Sequence, residues 1–232
     1  MKTIGLIAGM SWESSAVYYN IFNRKTAEIL GGYHSAKCIM VSVDFAEIEE
    51  LQHKNNWKLL EKMMIQLAQQ LEKAGADFVV LGTNTMHFCA FEIEKSIHVP
   101  FLHIADATGQ KIKKTGLQKV ALLGTRFTME MDFYTKFIYE KFGIEVMVPD
   151  KPERELIHRI IYNELVHGII LNESREKVKQ IINSMNSTGA EGVILGCTEI
   201  PLLISDSDVD IPVFDTTKIH AERAVEIAIM GE

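Results

Sequence analysis

The 232-residue chain has little cysteine, no surplus of basic residues and no long apolar stretch. Its three cysteines, Cys38, Cys89 and Cys197, are scattered and odd in number, which excludes a disulfide framework and leaves them as free thiols. Lys and Arg number 24 against 31 Asp and Glu, a net charge of −7, so the basic surface that a nucleic-acid backbone requires is missing. No apolar run reaches the roughly eighteen residues of a membrane-spanning helix, and Met1-Lys2-Thr3 leads directly into strand-like sequence instead of a secretory signal. These absences predict a soluble, cytoplasmic protein with no nucleic-acid or membrane partner. Phosphate loops are missing too: Gly5-x-x-x-Gly9 lacks the spacing of a dinucleotide fingerprint, and no Walker sequence occurs. His87 and Cys89, with His98 and His103 nearby, do not follow zinc spacings, and a two-residue step on a helix sends side chains to different faces. No metal site is expected; a packed Cys89 among partly buried histidines is the simpler reading.

What the sequence does contain is a repeat. Residues 75–84 (GADFVVLGTN) align without a gap on residues 189–198 (GAEGVILGCT), which sets Cys197 opposite Thr83 at a separation of 197 − 83 = 114 residues. Residues 97–103 match 209–215 at 212 − 100 = 112, and residues 6–10 match 121–125 at 124 − 9 = 115. Three matches in one order at nearly one offset predict two similar α/β halves with parallel sheets. The first is expected over 1–104 plus about 213–232 and the second over 105–212. In each half, a short apolar run ends in Gly and one small nucleophilic or hydroxylic residue, as in a buried strand that delivers a functional side chain at its carboxyl end.

The elements can be placed around this repeat. Strands are expected at Thr3–Gly9, Lys37–Val43, Phe78–Gly82, Val99–Ile104, Lys119–Gly124, Ile144–Val148 and Ile211–Phe214, besides the Cys197 strand. Their continuous apolar character suits a parallel sheet covered on both faces. Ser11 can cap a helix carrying Val17, Tyr18, Ile21 and Phe22. Asp44–Gln52 reads as a polar, glutamate-rich connection. The clearest helix is Lys58–Lys73, with Leu59, Leu60, Met63, Met64, Leu67 and Leu71 on one stripe. Further helices are expected from Asn84, over Ala105–Thr115, Met129–Phe142, Arg154–His167 and Glu173–Met185, and from Thr217 to Met230.

In open parallel sheets ligands bind outside the carboxyl ends of the strands, which directs attention to Thr83 and Cys197. Asn84-Thr85 and Thr198-Glu199 follow them at expected helix starts, whose amides could hold a carboxylate. A thiol at a helix N-terminus has its pKa lowered from about 8.5, which predicts some thiolate at neutral pH. The plainer alternative for Cys197 is a small buried apolar residue.

Gly9-Met10-Ser11, Gly82-Thr83-Asn84-Thr85-Met86-His87, Gly196-Cys197-Thr198-Glu199-Ile200 and Asp215-Thr216-Thr217-Lys218-Ile219-His220 together resemble the aspartate/glutamate racemase family, in particular its L-aspartate/glutamate-specific members. The resemblance runs essentially end to end. It implies a cofactor-independent isomerase: one catalytic residue removes the Cα proton of a small acidic amino acid while its partner protonates the opposite face. It also implies a homodimer with each active site in the cleft between two pseudo-symmetric domains. Thr83 departs from the family pattern, which has cysteine in both copies; an alcohol is a poorer base than a thiol, with a pKa above the roughly 10 of tyrosine.

By the same resemblance Met10, Asn84, Thr85, Thr125, Thr198 and Glu199 should contact the substrate, and Gln52 should lie on a polar loop near a substrate carboxylate. Some relatives carry Arg near that loop and Lys near His167, and neither basic residue stands here. His167 is therefore the candidate for the distal carboxylate, with a solvated helix end as its other reading. Arg126 is a further candidate, and His220 would support the site from behind. Two alternatives use the same scaffold differently: a single-cysteine decarboxylase or cis-trans isomerase of a small dicarboxylate, and a non-catalytic binder of acidic amino acids.

Overall fold

The computed structural model describes residues 1–231, which form two compact α/β units. The first comprises Met1–Ile104 and the chain from His220 onward, and the second Ala105–Ile219. In chain order the first unit contains β1 (Ile4–Ala8), α1 (Trp12–Leu30), β2 (Cys38–Ser42), α2 (Phe45–His53), α3 (Trp57–Lys73), β3 (Phe78–Leu81), α4 (Ala90–Ser96) and β4 (Phe101–Leu102). Then follow α5 (Ile104–Thr115), β5 (Lys119–Gly124), α6 (Arg126–Glu130), α7 (Phe133–Phe142), β6 (Glu145–Met147), α8 (Lys151–Asn163), α9 (Asn172–Ser187), β7 (Val193–Gly196), β8 (Val213–Asp215) and α10 (Thr216–Met230).

Each unit has a parallel four-stranded sheet, ordered β2-β1-β3-β4 in the first and β6-β5-β7-β8 in the second. Of the central strands, β1, β3 and β7 are buried along their whole length and β5 everywhere but at Lys119, as continuous apolar runs demand when both faces of a sheet are covered. On one face of the first sheet, α3 packs Leu60, Met64, Ala68 and Leu71 against Ile7, Val79 and Leu81. Leu59, expected on that stripe, is exposed, as is Val17 of α1. On the other face Tyr18 and Phe22 of α1 meet Ala221, Ala224, Val225 and Ala228 of α10. Side chains of this size contribute about 1.5–3 kcal/mol each when fully buried.

Pairing within the sheets tests the repeat residue by residue. Val79 faces Gly5 and Phe101, while Val193 faces Ala121 and Val213. The 114- and 112-residue offsets therefore hold in three dimensions, but β1 corresponds to β5 at 121 − 5 = 116. The sequence match paired Gly9 with Gly124 because it could not see a difference in loop length. From Ile7 to the helix cap Ser11 there are 11 − 7 = 4 steps, and from the equivalent Leu123 to the cap Thr125 only 125 − 123 = 2. Thr125 is thus the counterpart of Ser11, not of Met10. Both accept from the backbone N–H three residues on, Ser14 and Thr128, and both approach a second hydroxyl, at 3.0 Å for Ser11 and Ser14 and 3.2 Å for Thr125 and Thr128.

Other boundaries move for local reasons. Asp44–Gln52 is not a connection: Asp44 caps α2 by accepting from Ala46 N–H at 3.0 Å. The chain expected to return to the first unit near residue 213 first forms β8, which pairs with β7 in the second sheet.

His220, at the start of the returning segment, closes the first unit's core. Its Nε2–H donates to Leu102 O at 2.9 Å, so Nδ1 accepts from the Tyr18 hydroxyl, also at 2.9 Å. Burial lowers its pKa from 6.5 to about 4, because a cation there would lose its hydration. The folded state therefore binds fewer protons than the unfolded chain between these values, and stability must fall as pH falls from 6.5 to about 4. The loss from this one residue should be about 3 kcal/mol, read as a falling urea midpoint over that range, and His220→Gln should flatten the slope. A parental midpoint that stays constant would contradict this assignment.

Candidate active site

In the second unit β7 runs into Gly196, which is packed closely: a Cβ would lie 2.7 Å from Leu122 Cδ1 and 3.1 Å from Leu123 O, so a larger residue would push on β5. Cys197 follows at the strand end, 8% exposed and packed with Leu195, Ile200 and Leu203. Its Sγ–H donates to Glu199 Oε2 at 3.0 Å, and the Thr198 hydroxyl donates to the same oxygen at 2.7 Å. Burial first, and the Glu199 carboxylate second, push the thiol pKa well above its ordinary value. This reverses the expected lowering. The segment after Cys197 is a single 3-10 turn, Ile200–Leu202, and so short a turn aligns few peptide dipoles. An adjacent buried carboxylate outweighs it.

In the first unit Gly82 is held against Ile7, with its N–H donating to Ile7 O at 2.9 Å. Thr83 follows, half-buried, and then Asn84 and Thr85, both buried. The expected helix from Asn84 is a 3-10 turn, Thr85–Cys89, leading into α4. His87 braces this loop. Ile104 N–H donates to its Nε2 at 3.0 Å, so its Nδ1–H donates to Thr83 O at 2.7 Å. Burial, then the neighbouring His103 and His220, hold His87 well below its ordinary pKa, consistent with a neutral ring. The brace acts on the Thr83 backbone; within the first unit, no described residue hydrogen-bonds its hydroxyl.

The remaining candidates fall into three groups. Met10, buried and joined to Ser11 by a cis peptide bond, shares an apolar cluster with Met86, and Gln52 is buried with its amide 3.5 Å from Met86 Sδ. Gln52 thus lies on α2 beside the Thr83 loop and not on an open polar loop. Thr125 caps α6, and the Arg126 side chain is exposed above the Phe127 ring. His167 is exposed at the end of a 3-10 turn before Gly168. Cys89 is buried and donates to Met86 O, a packed thiol with its pKa raised to about 12. Among the described residues, no three His, Cys, Asp or Glu side chains are grouped to hold a metal ion. None of the described helices is long and apolar enough to cross a membrane. Sequence reasoning missed two interactions: the His87 brace, signalled only by its four-residue step from Thr83, and the contact between Cys197 and Glu199.

The family model of Asp/Glu/Hydantoin racemase matches residues 7–224. The chain belongs to this racemase family. A Yersinia pestis protein described as a candidate Asp/Glu racemase is 49% identical, with a TM-score of 0.93 over 99% of this chain and 100% of that one. An aspartate racemase homologue from Pyrococcus horikoshii OT3 is 39% identical, with a TM-score of 0.86 over 98% and 99%. The broad-specificity amino-acid racemase RacX of Bacillus subtilis is 27% identical over 72% of this chain and 71% of its own. The two-domain α/β fold is that of the Asp/Glu racemases, and the chain is an isomerase of the amino-acid racemase type.

All three thiols should be slow nucleophiles in the resting protein, since burial also raises Cys38 to about 11. At neutral pH, alkylation of the folded protein by iodoacetamide should be at least roughly tenfold slower than that of a free thiol with pKa about 8.5. Fast labelling of Cys197, located by peptide mass, would contradict the raised pKa.

Proposed function

We propose that this racemase interconverts the L- and D-forms of aspartate or glutamate without a cofactor, with Cys197 as the base on the L-side and Thr83 on the opposite face of Cα. The observation that carries the reading is the matched pair of strand ends, each with a Gly seated against its neighbouring strand and one reactive side chain following it. In this reading Asn84, Thr85 and Thr198 hold the substrate, Met10 and Gln52 line the Thr83 side, and His167 meets the distal carboxylate. The reading extends to a homodimer, as the resemblance implies, in the cytoplasm.

The chemistry is a proton exchange at one carbon. Cys197, as thiolate, takes the Cα proton of the L-enantiomer, and a proton delivered past Thr83 to the other face completes inversion. Thr83, an alcohol, is a weak base for the reverse direction. Because enantiomers have equal free energy, kcat/KM must be the same in both directions, and the inequality of the two residues can appear only in kcat and KM separately.

The test is deuterium incorporation at Cα in D2O, followed from each enantiomer of aspartate and glutamate, with chiral analysis of products. Cys197→Ser should lose about 10³-fold of the exchange from L-substrate, the scale of a removed general base. Thr83→Cys should raise exchange from the D-enantiomer by restoring a competent base on that face. Parental exchange in Cys197→Ser, or loss of a carboxyl group from a substituted malonate without racemisation of either amino acid, would overturn the proposal.

A further inference from the structure

Cys197 has a proton acceptor already in contact, whereas within the first unit no described residue hydrogen-bonds the Thr83 hydroxyl. The 114-residue offset that matches Thr83 to Cys197 matches Thr85 to Glu199 (199 − 85 = 114), so the carboxylate is present in one half only. Glu199 is 5% exposed, and its Oε2 receives both the thiol and the Thr198 hydroxyl. The thiol itself sits in an apolar cluster to which α8 and α9 contribute Ile157, Ile160, Ile161, Val178, Ile181 and Ile182. Asp215, the acidic residue of the neighbouring β8, accepts from the N–H groups of Thr217 and Lys218. Among the described residues, the charge that acts on the Cys197 thiol is that of Glu199.

We propose that Glu199 is the proton partner of Cys197, a positioning residue that stores the thiol proton while the sulfur works on Cα. This deepens the reading of Cys197 as the L-side base and rests on it. In the resting pair the sulfur carries hydrogen and Glu199 is a carboxylate. On activation the S–H bond breaks and an Oε2–H bond forms, giving thiolate and carboxylic acid with no change in the pair's net charge. The thiolate then takes the Cα proton: the C–H bond breaks, its electron pair stays on Cα, and S–H forms again. Delivery of a proton from the Thr83 side completes the product. The pair now holds one proton more than at rest and releases it to water, while the Thr83 side regains one from water.

This scheme has a signature that a merely structural glutamate would not produce. Because activation moves a proton within the pair, exchange from L-substrate should stay level with pH, where a lone thiol would gain about tenfold per unit below its pKa. Exchange into Cα is measured in buffered D2O between about pH 6 and 8, a window in which an amino acid's ammonium remains protonated. L-glutamate and L-aspartate are the probes. The parent should be level within about twofold; Glu199→Gln should climb roughly 100-fold across the window, following the thiolate fraction. Glu199→Asp, which keeps a carboxylate, should be slower but level.

A readout without substrate accompanies this one: thiolate absorbance near 240 nm against pH, with Cys197→Ser as the blank. The Cys197 titration should move down in Glu199→Gln, in a range where Cys38 and Cys89, at about 11 and 12, remain protonated. A parental profile that climbs tenfold per unit overturns the proposal. So does a Glu199→Gln profile as level as the parent's with an unmoved thiol titration, or, should that variant not fold, a Glu199→Asp profile that climbs. Parental exchange in Cys197→Ser would instead refute the reading of Cys197, so the two failures are distinguishable.

Discussion

Parallel pairing of each sheet's two central strands is the constraint from which the site follows. β3 lies against β1 and β7 against β5, and the residue closing each working strand is a glycine pressed onto the neighbour: Gly82 on Ile7 O, Gly196 on Leu123 O. With that glycine held against the neighbouring strand, the next residue is the first beyond it to carry a side chain. Thr83 and Cys197 occupy that position in the two units. A fully buried strand fixes its end with little freedom, so each side chain is aimed by the core beneath it.

The two strand ends share a frame but differ in electrostatics. On the Cys197 side a carboxylate and a hydroxyl converge, and the thiol stays protonated at rest. On the Thr83 side the neighbour is a neutral imidazole whose hydrogen bonds go to the Thr83 main-chain carbonyl and the Ile104 N–H. The two halves therefore share the place of these side chains at a strand end while the groups beside them differ.

Much of this frame was legible in the sequence because it depends on local pattern. Apolar runs ending in Gly marked β1, β3, β5 and β7, and the offset of 114 residues paired Thr83 with Cys197 before any coordinates. The match failed by one residue at β1 and β5, since a repeat read along a string cannot see that one loop has two extra steps. What the sequence could not show is direction. Glu199 reads as a substrate contact with nothing in its spacing to announce the hydrogen bond it accepts from the sulfur, and Gln52 reads as a loop residue until α2 carries it inward to Met86. Whether a neighbour raises or lowers a thiol's pKa depends on distances of a few ångströms, which spacing alone does not encode.

The way the chain crosses between units also governs the order in which it can fold. Tyr18, Phe22 and Val80 are buried in part by Ala221, Ala224 and Val225, more than 130 residues further along. A nascent chain that has already made all four strands of the first sheet still has one face of that sheet covered only in part, by α1, and the second unit is synthesised in the meantime. Closure of the first core must then join segments far apart in sequence, the slow kind of contact in folding, because the loop entropy is lost before the contact rewards it. The second unit has all its strands and helices in one continuous stretch, 105–219, and carries no such delay.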